Sequence, residues 1–365
     1  MKYIDEFRNK KLILKAAGKL REITPLRPIN IMEVCGTHTH SFFRFGLHKL
    51  LPANIRLISG PGCPVCVSSQ DYIDKACCYA KRPDVLIVTF GDMLCIPGSQ
   101  SSLEKQNAHS GNVLVVYSAL ESIKIARNNP DKKVIFLAVG FETTIPTVAL
   151  TIITAKKEGI KNLFFLVSLK TMPAAMEYLL RDKRIKIDGF LCPGHVSSII
   201  GSRPYEFIPR KYKIACCIVG FEPLDLMEGI YLLARQIALG KPTVDNQYLR
   251  AVNKGGNIKA QKIISKVFQT TDALWRGLGK IPKSGLKLRT AFSEFDAKAQ
   301  IPLKNIAYGR NHNTRCRCGD VLKGIINPTQ CPLFMKACRP ENPVGPCMVS
   351  NEGACNAYYK YKKQA

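Results

Sequence analysis

The 365-residue sequence predicts an α/β fold: two α/β domains with mainly parallel sheets, plus a smaller C-terminal domain rich in helices and loops. Three observations carry that reading. Eight strand-like apolar runs alternate with segments of helical length between residues 29 and 219, the pattern of βαβ units whose helices cover parallel strands. The loops after those runs are rich in glycine and proline and carry thiols, imidazoles, hydroxyls and carboxylates. Cysteine is unevenly spread, with none from 96 to 191 and six between Cys316 and Cys355. The expected divisions begin with an N-terminal helix over 1–28 that packs on the C-terminal part. A first α/β domain then covers 29–130, and a second covers 131–240 with the chain crossing back near 213–240. The cysteine-bearing domain takes 241–365.

Taken in order, residues 1–25 form an amphipathic helix, with Ile4, Phe7, Leu14, Ala17 and Leu20 near one face. Pro25 and Pro28 end it. Strand-like runs follow at 29–34, 55–59, 84–90, 112–117, 134–139, 162–167, 187–192 and 213–219. Helical stretches at 69–80, 118–129, 144–158 and 173–182 separate them. Val139-Gly140-Phe141-Glu142 recurs as Val219-Gly220-Phe221-Glu222, which hints at two related halves. Residues 224–268 read as helical, and 277–313 as a basic stretch punctuated by glycine and proline.

The bulk composition narrows the class. A hydrophobic content of 46% with 22% charged residues is that of a soluble globular protein. No apolar run reaches the roughly 18–20 residues that span a bilayer, and the charged N-terminus lacks a signal-peptide core. The cytoplasm is the expected compartment, where fifteen cysteines argue for metal or redox work before structural disulfides. Cys77, Cys78, Cys95, Cys216 and Cys217 stand in apolar surroundings and read as small buried hydrophobes. The net charge is +27, and from Lys241 onward 22 basic residues face 7 acidic ones. Such a field suits nucleic acid or an acidic protein. The lysines are scattered, without the interleaved aromatics of a nucleic-acid surface. No glycine-rich nucleotide loop occurs, so a nucleotide-dependent step has no support.

Three thiol motifs carry the chemistry. Gly60-Pro61-Gly62-Cys63-Pro64-Val65-Cys66 places a Cys-x-x-Cys pair on a tight turn, able to close a small disulfide ring or clasp a metal. Cys35-Gly36-Thr37-His38-Thr39-His40 sets a thiol and an imidazole three residues apart. They fit one soft or borderline metal ion, a nucleophile–base pair, or a capped helix start with a buried cysteine. A helix start would lower the Cys35 thiol pKa. The third group is Cys316, Cys318, Cys331, Cys338, Cys347 and Cys355. Four of these thiolates suit a 4Fe-4S cluster or tetrahedral zinc, and a disulfide knot is the third option. The spacing lacks the paired turns of a zinc ribbon and fits a cluster plus a spare pair better. Loops beyond the carboxyl ends of parallel strands form a ligand crevice, and Gly140–Thr144, Cys192–Ser197 and Gly220–Pro223 belong to that set with the first two thiol motifs.

Cys35-Gly36-Thr37-His38-Thr39, Gly60–Cys66, Gly140-Phe141-Glu142-Thr143-Thr144, Pro193-Gly194-His195-Val196-Ser197 and the segment 316–355 together resemble the HypD family. Its members are hydrogenase maturation factors that help build the Fe(CN)2CO group of nickel–iron hydrogenases. The resemblance runs from about residue 5 to the end, with the motifs in order. It implies two α/β domains and an iron–sulfur domain with surroundings similar to ferredoxin:thioredoxin reductase. It implies 4Fe-4S ligands at Cys316, Cys331, Cys338 and Cys355, a C-x14-C-x6-C-x16-C spacing. Cys318 and Cys347 would be a redox pair beside the cluster, and Cys63 and Cys66 a second dithiol. Cys35, helped by His38, would hold the iron of Fe(CN)2CO. The implied partners are a HypC-type chaperone that adds a thiolate to this iron, a HypE-type protein that delivers cyanide as a thiocyanate, and the hydrogenase large subunit through HypC.

Physical reasons support that implication. Iron with CN and CO ligands requires a soft thiolate anchor in a protected cleft. Releasing cyanide from a thiocyanate consumes two electrons, which dithiols store and a single cluster passes one at a time. Glu142, Thr143, His195 and Ser197 are expected to orient cyanide or donate protons. Two other classes remain open on the residues. A stand-alone iron–sulfur thiol–disulfide oxidoreductase would use the same cluster and dithiols without iron at Cys35. A zinc-bearing nucleic-acid-binding protein would use the charge and the six cysteines.

Overall fold

The computed structural model describes residues 2, 4–303 and 315–362. Its strands are β1 (Ile29–Glu33), β2 (Ile55–Ser59), β3 (Val85–Thr89), β4 (Val113–Val115), β5 (Lys133–Gly140) and β6 (Leu163–Leu169). They continue with β7 (Gly189–Pro193), β8 (Ala215–Val219), β9 (Val244–Asn246), β10 (Phe268–Trp275) and β11 (Gly279–Leu288). The first nine form two wholly parallel sheets, one ordered β2-β1-β7-β8-β9 and the other β4-β3-β5-β6. Every residue of β3, β7 and β8 is buried, as expected for strands with helices on both faces. All eight runs read from the sequence are strands in these sheets.

The strands group differently from the linear split at residues 130 and 131. β5 and β6 join β3, while β7 and β8 join β1 and β2. The chain therefore leaves the first sheet after β2 and returns at β7, earlier than residues 213–240. An apolar run records burial but not which sheet receives it, because parallel pairing tolerates long crossovers. The return creates a switch point between β1 and β7, where the order reverses.

Three expectations on the remaining segments are corrected. The N-terminal helix, Lys10–Ile23, lies on helix Pro223–Ala238 of the first sheet's layer rather than on the C-terminal part. Ile13, Ala17 and Leu20 enter the core with Met227, Ile230 and Leu233, whereas Leu14 is exposed because the buried stripe follows 13, 17 and 20. Arg8 adds a salt bridge to Glu222. The helical stretch 224–268 is interrupted by β9, and much of 277–303 is ordered as β11 and a short helix, Ala297–Gln300. Residues 304–313 of that basic stretch lie outside the described residues. The β10–β11 hairpin shares Phe268 and Leu288 with the core of the second sheet and Trp275, Leu278 and Ile281 with the core that holds Cys338, Cys347 and Cys355, and among the described residues of 241–365 the cysteine-bearing unit is 315–362. That unit ends in helix Ala354–Lys362, which packs on helix Gly36–Arg44 through Phe43 and Tyr358, 4.5 Å apart.

Candidate redox and metal site

The first two thiol loops leave adjacent strands, β1 and β2, at their carboxyl ends. The amide of Gly36 donates to the Gly62 carbonyl at 3.2 Å, locking one loop on the other. A Cβ on Gly62 would stand 2.5 Å from the Cys35 nitrogen, so only glycine permits this approach. Gly36 lies equally tight against the backbone of Glu352, from the cysteine-bearing segment. Two glycines thus bring all three thiol motifs together. Gly62→Ala is expected to cost about 3 kcal/mol, read as a lowered urea midpoint, because backbone must move to admit the methyl. An unchanged midpoint would contradict the contact.

Cys35 caps helix Gly36–Arg44, yet its thiol is not lowered as a helix start alone predicts. Burial and the nearby Glu352 carboxylate push it up to about 12, outweighing the helpful amides of Thr37 and His38. Glu352 accepts a hydrogen bond from the Thr37 hydroxyl at 3.0 Å, and burial raises its own pKa. Binding of a metal ion would displace this thiol proton.

From the second loop a series of thiols leads inward. The Cys66 amide donates to the Cys63 sulfur at 3.2 Å, and the Cys66 thiol donates to the Pro346 carbonyl at 3.6 Å. Cys66 also interacts with Cys347, and Cys347 with Cys318. Burial pushes the Cys66 thiol well up, while hydrogen bonding from Cys318 and Cys66 holds Cys347 below its usual value. Cys347 is therefore the member best suited to be a thiolate.

Cys316, Cys318, Cys331, Cys338, Cys347 and Cys355 line one small cavity with Val321, Leu333, Phe334 and Met348. Among the described residues no three metal-ligating side chains converge on a single ion. A four-iron cube makes a different demand, since its thiolates bind at separate corners. Its expected ligands fit in three respects. Cys355 is held well up by burial and by the neighbouring Cys318, Cys338, Cys316 and Cys331, a repulsion that a cationic centre would relieve. The amide of Val344 donates to the Cys338 sulfur at 3.4 Å, a contact that favours thiolate. A Cβ on Gly345 would fall 2.6 Å from the Cys316 sulfur, so glycine keeps the cavity open.

The imidazoles meet at the switch point. His38 is fully buried, with Nε2 3.1 Å from the Val219 carbonyl, while Nδ1 has no partner. The carbonyl fixes the proton on Nε2 and leaves Nδ1 as a bare donor of electrons. Burial lowers the His38 pKa to about 4. Phe221 lies between the His38 and His195 rings, at 4.9 and 3.9 Å. His195 faces solvent, and Ser197 is turned away, bonding Pro193 and Tyr205.

Glu142 and Thr143 follow β5 in the second sheet, and among the described residues neither forms a hydrogen bond to a thiol. Thr143 is exposed. Glu142 accepts from the Met172 amide at 2.9 Å through Oε1, while buried Oε2 has no partner. Burial raises its pKa to about 7. The folded state then binds the extra proton between pH 4.5 and 7, so this group's contribution to stability declines as pH rises through that window. Glu142→Gln is expected to remove this decline and gain roughly 1–3 kcal/mol at pH 8, measured by urea unfolding across pH. An unaltered pH profile would refute the assignment.

Glu352 and the stacking role of Phe221 escaped the sequence reading. Glu352 acts on Cys35, 317 positions away, and Phe221, 183 positions from His38, joins it to His195. The one sequence signal was an acidic residue amid the cysteines.

A family model described as "HypD: Hydrogenase formation hypA family" matches residues 11–362. The chain is 45% identical over 372 residues to the hydrogenase maturation factor HypD of Azotobacter vinelandii, covering 100% of this chain and 98% of that one. Against HypD of Escherichia coli K12 it is 42% identical over 371 residues, covering 100% and 99%. Against HypD2 of Bradyrhizobium diazoefficiens it is 43% identical over 370 residues, covering 99% and 97%. With these matches running nearly end to end over the thiol loops, the chain belongs to the HypD family of hydrogenase maturation factors.

Proposed function

We propose that this chain holds an iron ion as cargo at Cys35, with His38 beside it, and assembles its cyanide and carbon monoxide ligands. One observation carries the reading: the series Cys63–Cys66–Cys347–Cys318 links the loop against Cys35 to the cysteine-lined cavity. A HypE-type partner supplies cyanide as a thiocyanate, and a HypC-type chaperone adds a second thiolate to the iron and carries it to the hydrogenase large subunit.

The redox balance is simple. A thiocyanate plus the Cys63/Cys66 dithiol gives a free thiol on the donor, cyanide with its proton, and a Cys63–Cys66 disulfide. The Cys347 thiolate then attacks the Cys66 sulfur and releases Cys63. Cys318 resolves the mixed disulfide, freeing Cys66 and closing Cys318–Cys347. Cys316, Cys331, Cys338 and Cys355 would hold a 4Fe-4S cluster, which when bound supplies single electrons to reopen that disulfide. His195 at the cleft rim is placed to exchange protons with solvent. Docking draws on the net charge of +27, so affinity for acidic partners falls as salt rises; binding indifferent to salt would count against this.

No observation favours the stand-alone disulfide reductase specifically. The deciding experiment mixes the anaerobic protein with its HypC- and HypE-type partners and carbon-13-labelled thiocyanate, followed by infrared spectroscopy. Labelled nitrile bands on iron are expected. Label that stays on the donor would defeat the reading.

A further inference from the structure

A second polar cavity, of about 390 Å³, opens between the end of β6 and the β10–β11 hairpin. Lys170 is at its floor, 2% exposed. Among the described residues its amine reaches only neutral acceptors, the Ser168 hydroxyl at 2.8 Å and carbonyl at 3.3 Å. Trp275 lies 5.9 Å from Nζ. Lys298 faces solvent at the margin. Among the described residues no carboxylate forms a salt bridge with either lysine, although the Asp296 and Asp71 charges act on Lys298. Asp71 pairs with Lys75 at 2.8 Å, and Asp272 with Lys280 at 3.2 Å. Asp296 accepts from the Lys298 amide at 2.9 Å, and Lys287 is exposed on the hairpin.

We propose that this cavity binds a small oxyanion, a carboxylate or phosphate, gripped between Lys170 at the floor and Lys298 at the mouth. A buried ammonium without a counter-charge is costly, and the cavity has room for the missing charge. Burial and the Lys298 charge pull the Lys170 pKa down to about 7. An arriving anion restores the proton, so binding takes up protons above pH 7 and weakens as pH rises. Ser168 accepts from Lys170 and keeps its own hydroxyl proton to donate. The hairpin also reaches the dithiol loop, since the Arg276 amide donates to the Val67 carbonyl at 2.9 Å.

The test is isothermal titration of the full chain, purified anaerobically, with inorganic phosphate and separately with malonate. One saturable site for at least one anion is expected, and the responding anion identifies the class. Lys170→Met is expected to weaken it by roughly tenfold or more, with circular dichroism confirming the fold. Lys298→Ala, which leaves the floor intact, is expected to weaken it several-fold. Affinity should fall from pH 6 to 8.5, with proton uptake revealed in buffers of different ionisation heat. The proposal is overturned by absence of saturable heat with both anions, or by wild-type affinity in Lys298→Ala or in folded Lys170→Met.

Discussion

Replacing Cys35 with alanine is expected, on the proposed function, to abolish hydrogenase maturation, by more than roughly a hundredfold, since the proposed iron ligand would be lost rather than an outer-shell partner. The fold should survive. The hydrogen bonds that tie this loop to the rest of the fold run from Gly36 to Gly62, from Thr39 to Glu33 and from His38 to Val219 and survive without the Cys35 sulfur, whose own contacts with Thr37 and His38 stay within the helix start. Loss of one buried sulfur is expected to cost about 1 kcal/mol, visible as a small drop in melting temperature. Cluster absorbance should persist, because the cysteine-lined cavity draws nothing from Cys35. Maturation near the wild-type level in this variant would remove iron from the loop.

Cys347→Ser is expected to leave one cyanide transfer per chain and stop those that follow. The dithiol Cys63/Cys66 can close once without help, but its disulfide is then cut off from Cys318. Steady-state turnover should fall by more than roughly a hundredfold, since serine is no thiolate nucleophile. Cys66→Ser, by contrast, should lose the first transfer as well. Rapid-quench measurement of released cyanide separates the two as a burst against none. Sustained turnover in Cys347→Ser would mean that electrons reach Cys63 and Cys66 by another route.

Much of this was legible because buried parallel strands write themselves as unbroken apolar runs. The segments 84–90, 134–139 and 213–219 announced β3, β5 and β8. The thiol loops were legible for a related reason: residues after such strands lie at the sheet's carboxyl edge. Sheet membership was not legible, since nothing in the composition of β7 says that it pairs with β1 rather than β6. In the β10–β11 hairpin, β11 was hidden by its lysines, glycines and proline, and β10 by the polar Gln269–Asp272 on a half-solvated pair. The Cys35 thiol went the other way from expectation because burial and Glu352, 317 positions along the chain, outweigh a helix start. Glu142 and Thr143 looked equivalent in sequence, yet one is sealed under helix Met172–Arg181 and the other is exposed.

On the proposed function an iron cargo at Cys35 stands beside a separate cluster, joined by thiols. The most direct test is iron quantification with Mössbauer spectra on the anaerobic complex with the HypC-type chaperone, for wild type and Cys35→Ala side by side. About five iron per chain in the wild type, of which about four in a cube survive the substitution, is the expected result. Zinc in place of iron, or identical iron content and spectra in both proteins, would contradict the account.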